Sequence, residues 1–232
     1  MTADSNGALS MDVTHDVVHS KFFYVLVSLV LFFLVSPFLT ADRSSDFLLS
    51  VIFSLFIVVS INASTDNKWI LAGTVIFGSL SLISYWDMTF FRTSSGIDFH
   101  HYMVNIVFMA LITHAVLSTV ARQKNVTSDT MFGAISGYLL IGLAWAFIYL
   151  TIDSLSNNAF TDHVPVTDNR DLEQHFIYYS FVTLTTVGYG DIVANTNIAR
   201  MFSWMEAVVG QIYLAVWISQ LVGLRIVMRT RH

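Results

Sequence analysis

Between residues 185 and 191 the chain reads Thr185-Thr186-Val187-Gly188-Tyr189-Gly190-Asp191. The centre of this stretch offers hydroxyls and backbone carbonyls, and no carboxylate or imidazole. Hard oxygen ligands without a fixed carboxylate suit a weakly held, mobile alkali cation. Stripping water from such a cation requires a row of carbonyl oxygens that face it together. Successive carbonyls of an extended chain point to opposite sides, so some residues must adopt backbone angles that a Cβ opposes. Gly188 and Gly190, at alternate positions, permit those angles. The Thr186 hydroxyl adds one more oxygen layer below the carbonyls, while Val187 and Tyr189 turn backward and brace the row.

The run 186–191, Thr-Val-Gly-Tyr-Gly-Asp, resembles the selectivity-filter signature of potassium channels. Upstream, Phe176-Ile177-Tyr178-Tyr179-Ser180-Phe181-Val182-Thr183-Leu184 looks like that family's pore helix, with Tyr178 and Tyr179 where aromatics cuff the filter. Downstream, residues 200–210 resemble the inner helix of the prokaryotic members, with Gly210 at the gating-hinge position; close helix packing is the competing reading of that glycine. The resemblance covers about residues 171–223. It implies potassium ions bound by Thr186, Val187, Gly188 and Tyr189, support from Thr185 and Gly190, and Asp191 anchoring the outer end. It also implies a homotetramer, because the chain has one filter segment and the family's pore needs four around an axis. No organic cofactor is implied. Two departures stand out. Ala194 replaces a frequent proline, and Val182 replaces a pore-helix carboxylate that pairs with the filter aspartate in some members, so Asp191 needs another partner, Tyr178 or Tyr179.

The elements that must position these residues are apolar runs at 22–39, 47–61, 69–85, 102–120, 131–152 and 201–222. Apolar residues make up 55% of the 232 and charged ones 12%, against roughly 25% charged in an average soluble domain. Six spans of about 20 residues consume about half such a chain. The expected fold is therefore an all-α membrane protein with six transmembrane helices, plus a re-entrant pore helix and filter between helices 5 and 6. The run from 172 to 185 holds roughly 14 residues, about 21 Å of helix, too short for a core of about 30 Å. Non-helical backbone at that depth is tolerated where it lines a water-filled path.

With the N-terminus inside, Lys21, Lys68, Arg122, Lys124, Arg225, Arg229 and Arg231 fall in the cytoplasm, and Arg43, Arg92, Arg170 and Arg200 outside, the expected bias. The reading is a multi-pass plasma membrane protein, of bacterial inner-membrane type, with both termini cytoplasmic. Its parts are a segment 1–21, a sensor-like four-helix domain 22–121, a pore domain 131–226 and a tail 227–232. The acidic N-terminal segment does not read as a signal peptide. The tail is too short for the soluble regulatory domains common in the family, so no soluble partner is implied.

Six helices with one pore segment resemble voltage-gated channels, yet between Arg92 and Arg122 there is no Lys or Arg. Voltage sensing needs charge that moves, at about 2.3 kcal/mol per elementary charge per 100 mV, so classical voltage gating is not expected. The fourth helix carries His100, His101 and His114 instead. Imidazoles change charge near neutrality, so His114, His163 and His175 are candidate modulators; ordinary interfacial or hydrogen-bonded histidines are the other reading, with Ser118 or Thr113 as partners for His114. Glu206, alone among carboxylates inside a run, either hydrogen-bonds behind the filter or reaches the outer interface. Asp162, Asp168, Asp171 and Glu173 either concentrate cations at the mouth or form a plain solvated acidic loop.

There is no cysteine, so disulfides and thiolate sites are excluded. The net charge of −5 without a basic block gives nucleic acid nothing to bind. No nucleophile–base constellation points to an enzyme. Two further classes stay open: a subunit of a potassium-uptake transporter, and a non-conducting membrane sensor or accessory subunit.

Overall fold

A computed structural model describes residues 20–38, 43–63, 67–91, 98–123, 127–156, 158–162 and 169–229. In chain order these form α1 (Lys21–Val35) with a 3-10 turn (Ser36–Phe38), α2 (Arg43–Asn62), α3 (Lys68–Phe91), α4 (Asp98–Arg122) and α5 (Ser128–Leu155). Then come a short strand β1 (Phe160–Asp162), α6 (Asn169–Leu184), β2 (Ile192–Ala194) and α7 (Asn197–Arg229).

Among the described residues, four helical stretches are long and apolar enough to cross a bilayer: Lys21–Phe38, Lys68–Trp86, Phe99–Arg122 and Ser128–Leu155. The apolar part of α2, Phe47–Asn62, is shorter. The outward faces match an apolar solvent. Leu34 is 63% exposed and Ile83 67%, while Thr74 and Ser81 are buried. On α3, then, two hydroxyls face in while aliphatic side chains face out, the reverse of a helix in water.

Local chemistry sets the helix ends. Pro37 cannot donate a backbone hydrogen bond and closes α1. Thr127 and Thr130 form a reciprocal cap at the start of α5, which is why that helix begins three residues before its apolar run. The Asp129 carboxylate accepts from the Phe22 amide, 3.0 Å, tying the starts of α1 and α5 together. Thr196 caps α7 by accepting from the Ala199 amide at 3.2 Å.

α5 is the hub. It packs against α1, α4, α6 and α7. Its small residues allow this: a Cβ on Gly133 would fall 2.5 Å from Val120, on Gly137 2.5 Å from Leu117, and on Gly142 2.6 Å from the Phe181 ring. One apolar core runs without a break through Phe22, Leu29, Phe53, Phe56, Phe108, Ile112, Leu143, Phe147, Tyr149 and Phe176. The leading four helices and the α5–α6 unit therefore share a core rather than having one each.

Two features depart from the apolar-run reading. α3 continues to Phe91 and α4 starts at Asp98, so both helices run past the apolar stretches 69–85 and 102–120, and His100 and His101 fall in the first turn of α4. And the fold is not wholly helical: β1 and β2 pair antiparallel, with Phe160 opposite Ala194 and Asp162 opposite Ile192. Three-residue strands have too few residues to show alternation, so no sequence pattern marks them.

Candidate functional site

α6 is a 16-residue helix, about 24 Å long. Its N-terminal turns lie beside the ends of α1 and α4: Gln174 Nε2 donates to the Ser36 carbonyl, 2.9 Å, and Glu173 lies by His101. Its C-terminus reaches the middle of its neighbours. There the Tyr138 hydroxyl of α5 donates to the Leu184 carbonyl at 3.4 Å, and Gly210 of α7 abuts that same carbonyl. The chain then turns and climbs back to the strand pair, where the Asn195 amide donates to the Ala159 carbonyl, 2.8 Å, and Arg200 Nε to the Ala194 carbonyl, 3.0 Å.

The turning segment, 185–191, is held to α6 by its amides. Thr185 N–H donates to the Phe181 carbonyl (3.1 Å), Thr186 N–H to Thr183 (2.9 Å), and Val187 and Gly188 N–H to Val182 (2.9 and 3.4 Å). A trans peptide carries its C=O opposite its N–H. With the Val187 and Gly188 amides turned toward α6, the carbonyls of Thr186 and Val187 must point away from it.

The backbone angles repeat at every second residue: φ is +59° at Thr186, +56° at Gly188 and +76° at Gly190. Alternation between left- and right-handed conformations turns every other peptide over, which brings successive carbonyls to one side. The two glycines take these angles without a Cβ penalty. Thr186 does not. A β-branched residue at positive φ is an outlier, of a kind that costs on the order of 1–3 kcal/mol and persists where surrounding structure enforces it. Expectation placed this freedom at the glycines alone; it extends to Thr186. The Thr186 hydroxyl donates to the Thr185 carbonyl at 2.7 Å and accepts from Gln211 Nε2 at 3.3 Å. Gln211 was missing from the sequence reading, and its only signal there was a polar side chain directly after Gly210 in an apolar run.

Asp191 finds its partner in Tyr178, whose hydroxyl donates to Asp191 Oδ2 at 2.5 Å; the Ile192 amide donates to the other oxygen, 3.1 Å. The Tyr178 hydrogen bond holds the Asp191 carboxyl below its usual range. Tyr179 turns the other way, onto the Ser203 hydroxyl of α7 at 2.7 Å. Val187 and Tyr189 do not pack backward within this chain: they are 51% and 72% exposed.

Glu206 lies behind α6, fully buried. The Tyr149 hydroxyl of α5 donates to its Oε2, 2.6 Å, and Ser180 of α6 contacts its Oε1, 2.5 Å. Ser180 is also 2.8 Å from the Gly142 carbonyl, so its single proton faces two acceptors. One carboxyl thus cross-links α5, α6 and α7, rather than reaching an interface beside Arg200.

Gly210 is buried against α6; a Cβ there would lie 2.1 Å from the Leu184 carbonyl oxygen. His114 is exposed on α4, and Ser118 donates to the Ala115 carbonyl rather than to the imidazole. His175 sits on α6, its ring edge-on to Phe176. His163 lies outside the described residues. Glu173, expected among acids at an outer mouth, points instead into the helix bundle: Tyr85 hydrogen-bonds it and its side chain is 14% exposed. The side chains of Asp162, Asp168 and Asp171 lie outside the described residues.

Comparison with known proteins falls on this same segment. Residues 137–224 match the family model for ion channels. Over 84 residues the chain is 33% identical to Two pore potassium channel a of Oryza sativa subsp. japonica, covering 36% of this chain and 23% of that protein. Over 85 residues it is 29% identical to Two-pore potassium channel 4 of Arabidopsis thaliana, 37% of this chain and 30% of that one. Protein LctB of Bacillus caldotenax is 28% identical over 122 residues, 52% of this chain and 90% of its own length. The chain thus spans less than a third of either plant relative. These matches support an ion-channel domain from within α5 through most of α7, in a mostly helical membrane protein.

Proposed function

We propose that this chain is a subunit of a potassium-selective channel that conducts passively, with four copies closing a pore around their 185–191 segments. The observation that carries the reading is positive φ at every second residue from 186 to 190, together with amides bonded back to α6. That pairing leaves carbonyl oxygens free on one side, the arrangement that replaces the hydration shell of potassium. Thr186, Val187, Gly188 and Tyr189 are the ion ligands, Gly190 supplies the backbone turn, and Tyr178 fixes the outer end through Asp191.

In this reading α1 to α5 and α7 span the bilayer, both termini are cytoplasmic, and α6 enters from outside and returns. The exposed faces of the loop and of α7 support contact with further copies: Tyr189, Trp204, Val208 and Ile212 are 72%, 61%, 46% and 57% exposed. The helix C-terminus of α6, its partly negative end, then aims at the cavity and favours a cation there. Voltage does not gate this pore in the usual way, because α4 carries its one basic residue, Arg122, in the last turn and none along its length.

The test is ion flux from liposomes holding the purified protein alone, with potassium, rubidium, sodium and lithium compared and barium as blocker. Barium-sensitive flux favouring potassium and rubidium over sodium by at least about tenfold, an energy difference of about 1.4 kcal/mol, upholds the reading. Equal sodium and potassium flux overturns selectivity. Absence of flux from a verified tetramer across pH and voltage shifts the reading to a sensor or accessory subunit.

A further inference from the structure

The ends of α3, α4 and α6 that meet near Ser36 enclose a polar cluster that ion conduction by the 185–191 segment does not use. At its centre is His101, 1% exposed. Its Nδ1 lies 2.6 Å from Ser84 Oγ of α3, and its Nε2 lies 3.3 Å from Asn105 Nδ2 and 3.7 Å from Glu173 Oε1 of α6. Asn105, fully buried, donates to the His101 carbonyl at 2.9 Å and stands 2.6 Å from Ser81 Oγ, which donates to its amide oxygen. Tyr85 of α3 hydrogen-bonds Glu173. The next residue of α6, Gln174, is bound twice to Ser36 at the end of α1, at 2.9 and 3.1 Å. Two consecutive residues of α6 are thus gripped by three of the four leading helices.

Such a cluster is an unusual way to pack helices whose other buried polar side chains are single hydroxyls such as Ser28, Ser50, Ser60 and Thr74. Every polar member loses water, and a half-satisfied network is worse than a greasy one. Its central group is also the side chain whose charge changes between about pH 5 and 8. With a neutral ring a single nitrogen carries a proton: either Nε2–H faces Glu173 while the Ser84 hydroxyl donates to Nδ1, or Nδ1–H donates to Ser84 Oγ while Nε2 accepts from Asn105 Nδ2. With a protonated ring Nδ1–H donates to Ser84 Oγ, Nε2 no longer accepts from Asn105, and the imidazolium forms an ion pair with the Glu173 carboxylate 3.7 Å away. Asn105 keeps its bonds to the His101 carbonyl and to Ser81 in either state. Among the described residues, the titratable groups facing the ring are Tyr85 from α3, Glu173 from α6 and, from α4 itself, Tyr102, whose ring stands edge-on 5.7 Å away between centroids. α5 presents only the Phe147 ring, 6.4 Å away between centroids.

We propose that His101 is a proton-operated positioning residue: when protonated it pairs with Glu173 and locks the start of α6 to the four leading helices, which keeps the 185–191 segment at the other end of α6 in its conducting form. This rests on the reading of that segment as a potassium filter. It assigns the four helices without sensor arginines a task that needs no moving charge.

The experiment uses the full chain as wild type, His101→Gln and Glu173→Gln. Rubidium flux from liposomes and thermal unfolding in detergent are both followed from pH 5.5 to 8. Wild-type flux rises roughly tenfold from pH 8 to pH 5.5, about 1.4 kcal/mol in the conducting equilibrium, and both variants flatten the rise to under about twofold. The melting difference between wild type and Glu173→Gln widens toward acid. A His101→Gln protein that keeps the wild-type pH profile overturns the proposal, as does a melting difference that does not change with pH. A wild type passing no rubidium overturns the channel reading and with it the conduction half of the proposal, while the melting series still upholds or overturns the His101–Glu173 pair itself.

Discussion

Replacing Gly210 with alanine separates the two roles that glycine can have in α7. If Gly210 serves mainly as a flexible point, alanine stiffens α7 and stabilises the helix by about 1 kcal/mol. The contact geometry says otherwise. The new Cβ would stand 2.1 Å from the Leu184 carbonyl oxygen, where real Cβ atoms essentially never come within 3.0 Å, so α6 and α7 must separate by about 0.9 Å. The obstacle is backbone, and no rotamer change relieves it. Overpacking of this kind costs typically 1–3 kcal/mol, which outweighs the gain in helix propensity. Leu184 is the last residue of α6, immediately before Thr185, and its carbonyl also accepts from Tyr138. The displacement therefore falls on the base of the ion-binding row. Gly210→Ala is expected to melt lower than wild type and to lose potassium-over-sodium selectivity in the liposome flux assay by up to about 30-fold, from a net penalty of up to about 2 kcal/mol. An alanine variant as stable and as selective as wild type refutes the packing argument and leaves the hinge.

Gly188→Ala meets no neighbouring atom within its own chain, so its effect comes from φ of +56° alone; a left-handed alanine costs roughly 1–2 kcal/mol, so selectivity should fall and melting should drop by a few degrees. Tyr178→Phe removes the hydroxyl that holds the Asp191 carboxyl low. A depressed carboxyl stabilises the fold above its unfolded value, about 3.9, and that contribution disappears as pH falls through the lowered folded value. Wild-type flux should thus keep its Asp191-dependent component from external pH 7 to 5, and Tyr178→Phe should lose flux at a higher pH than wild type; coincident acid limbs would sink this. Glu206→Ala takes from the buried Tyr149 hydroxyl its carboxylate acceptor, at about 1–3 kcal/mol, while Ser180 keeps the Gly142 carbonyl. Glu206→Gln keeps one acceptor and should melt closer to wild type; equal melting of the two variants would contradict the cross-link.

Much of the site was legible because its chemistry is local. Whether a residue can take a positive φ depends on its own Cβ, so Gly188 and Gly190 announce the turn of alternate peptides wherever they fold. Apolar runs announce helices in lipid for a similar reason: every backbone group is satisfied within the segment. Thr186 escaped because its strain comes from contacts outside itself, namely the amide bonds of 186–188 to Thr183 and Val182 and the hydroxyl's own bond to the Thr185 carbonyl.

What the sequence determined alone is the oxygen-lined segment with alternate glycines, the short helix before it, the apolar runs, and the want of basic residues along α4. What only the tertiary structure decided is partnership. Tyr178 and Tyr179 are adjacent and chemically alike, yet about 100° of helical rotation sends one hydroxyl to Asp191 and the other to Ser203. Glu206 read equally well as an interfacial or a buried carboxyl until α5 and α6 closed over it. Glu173 read as one more surface acid until α3 and α4 brought Tyr85 and His101 to its side. Charges and hydroxyls can be listed from a chain, but their energies depend on what excludes water from them. That is set by helices distant in sequence.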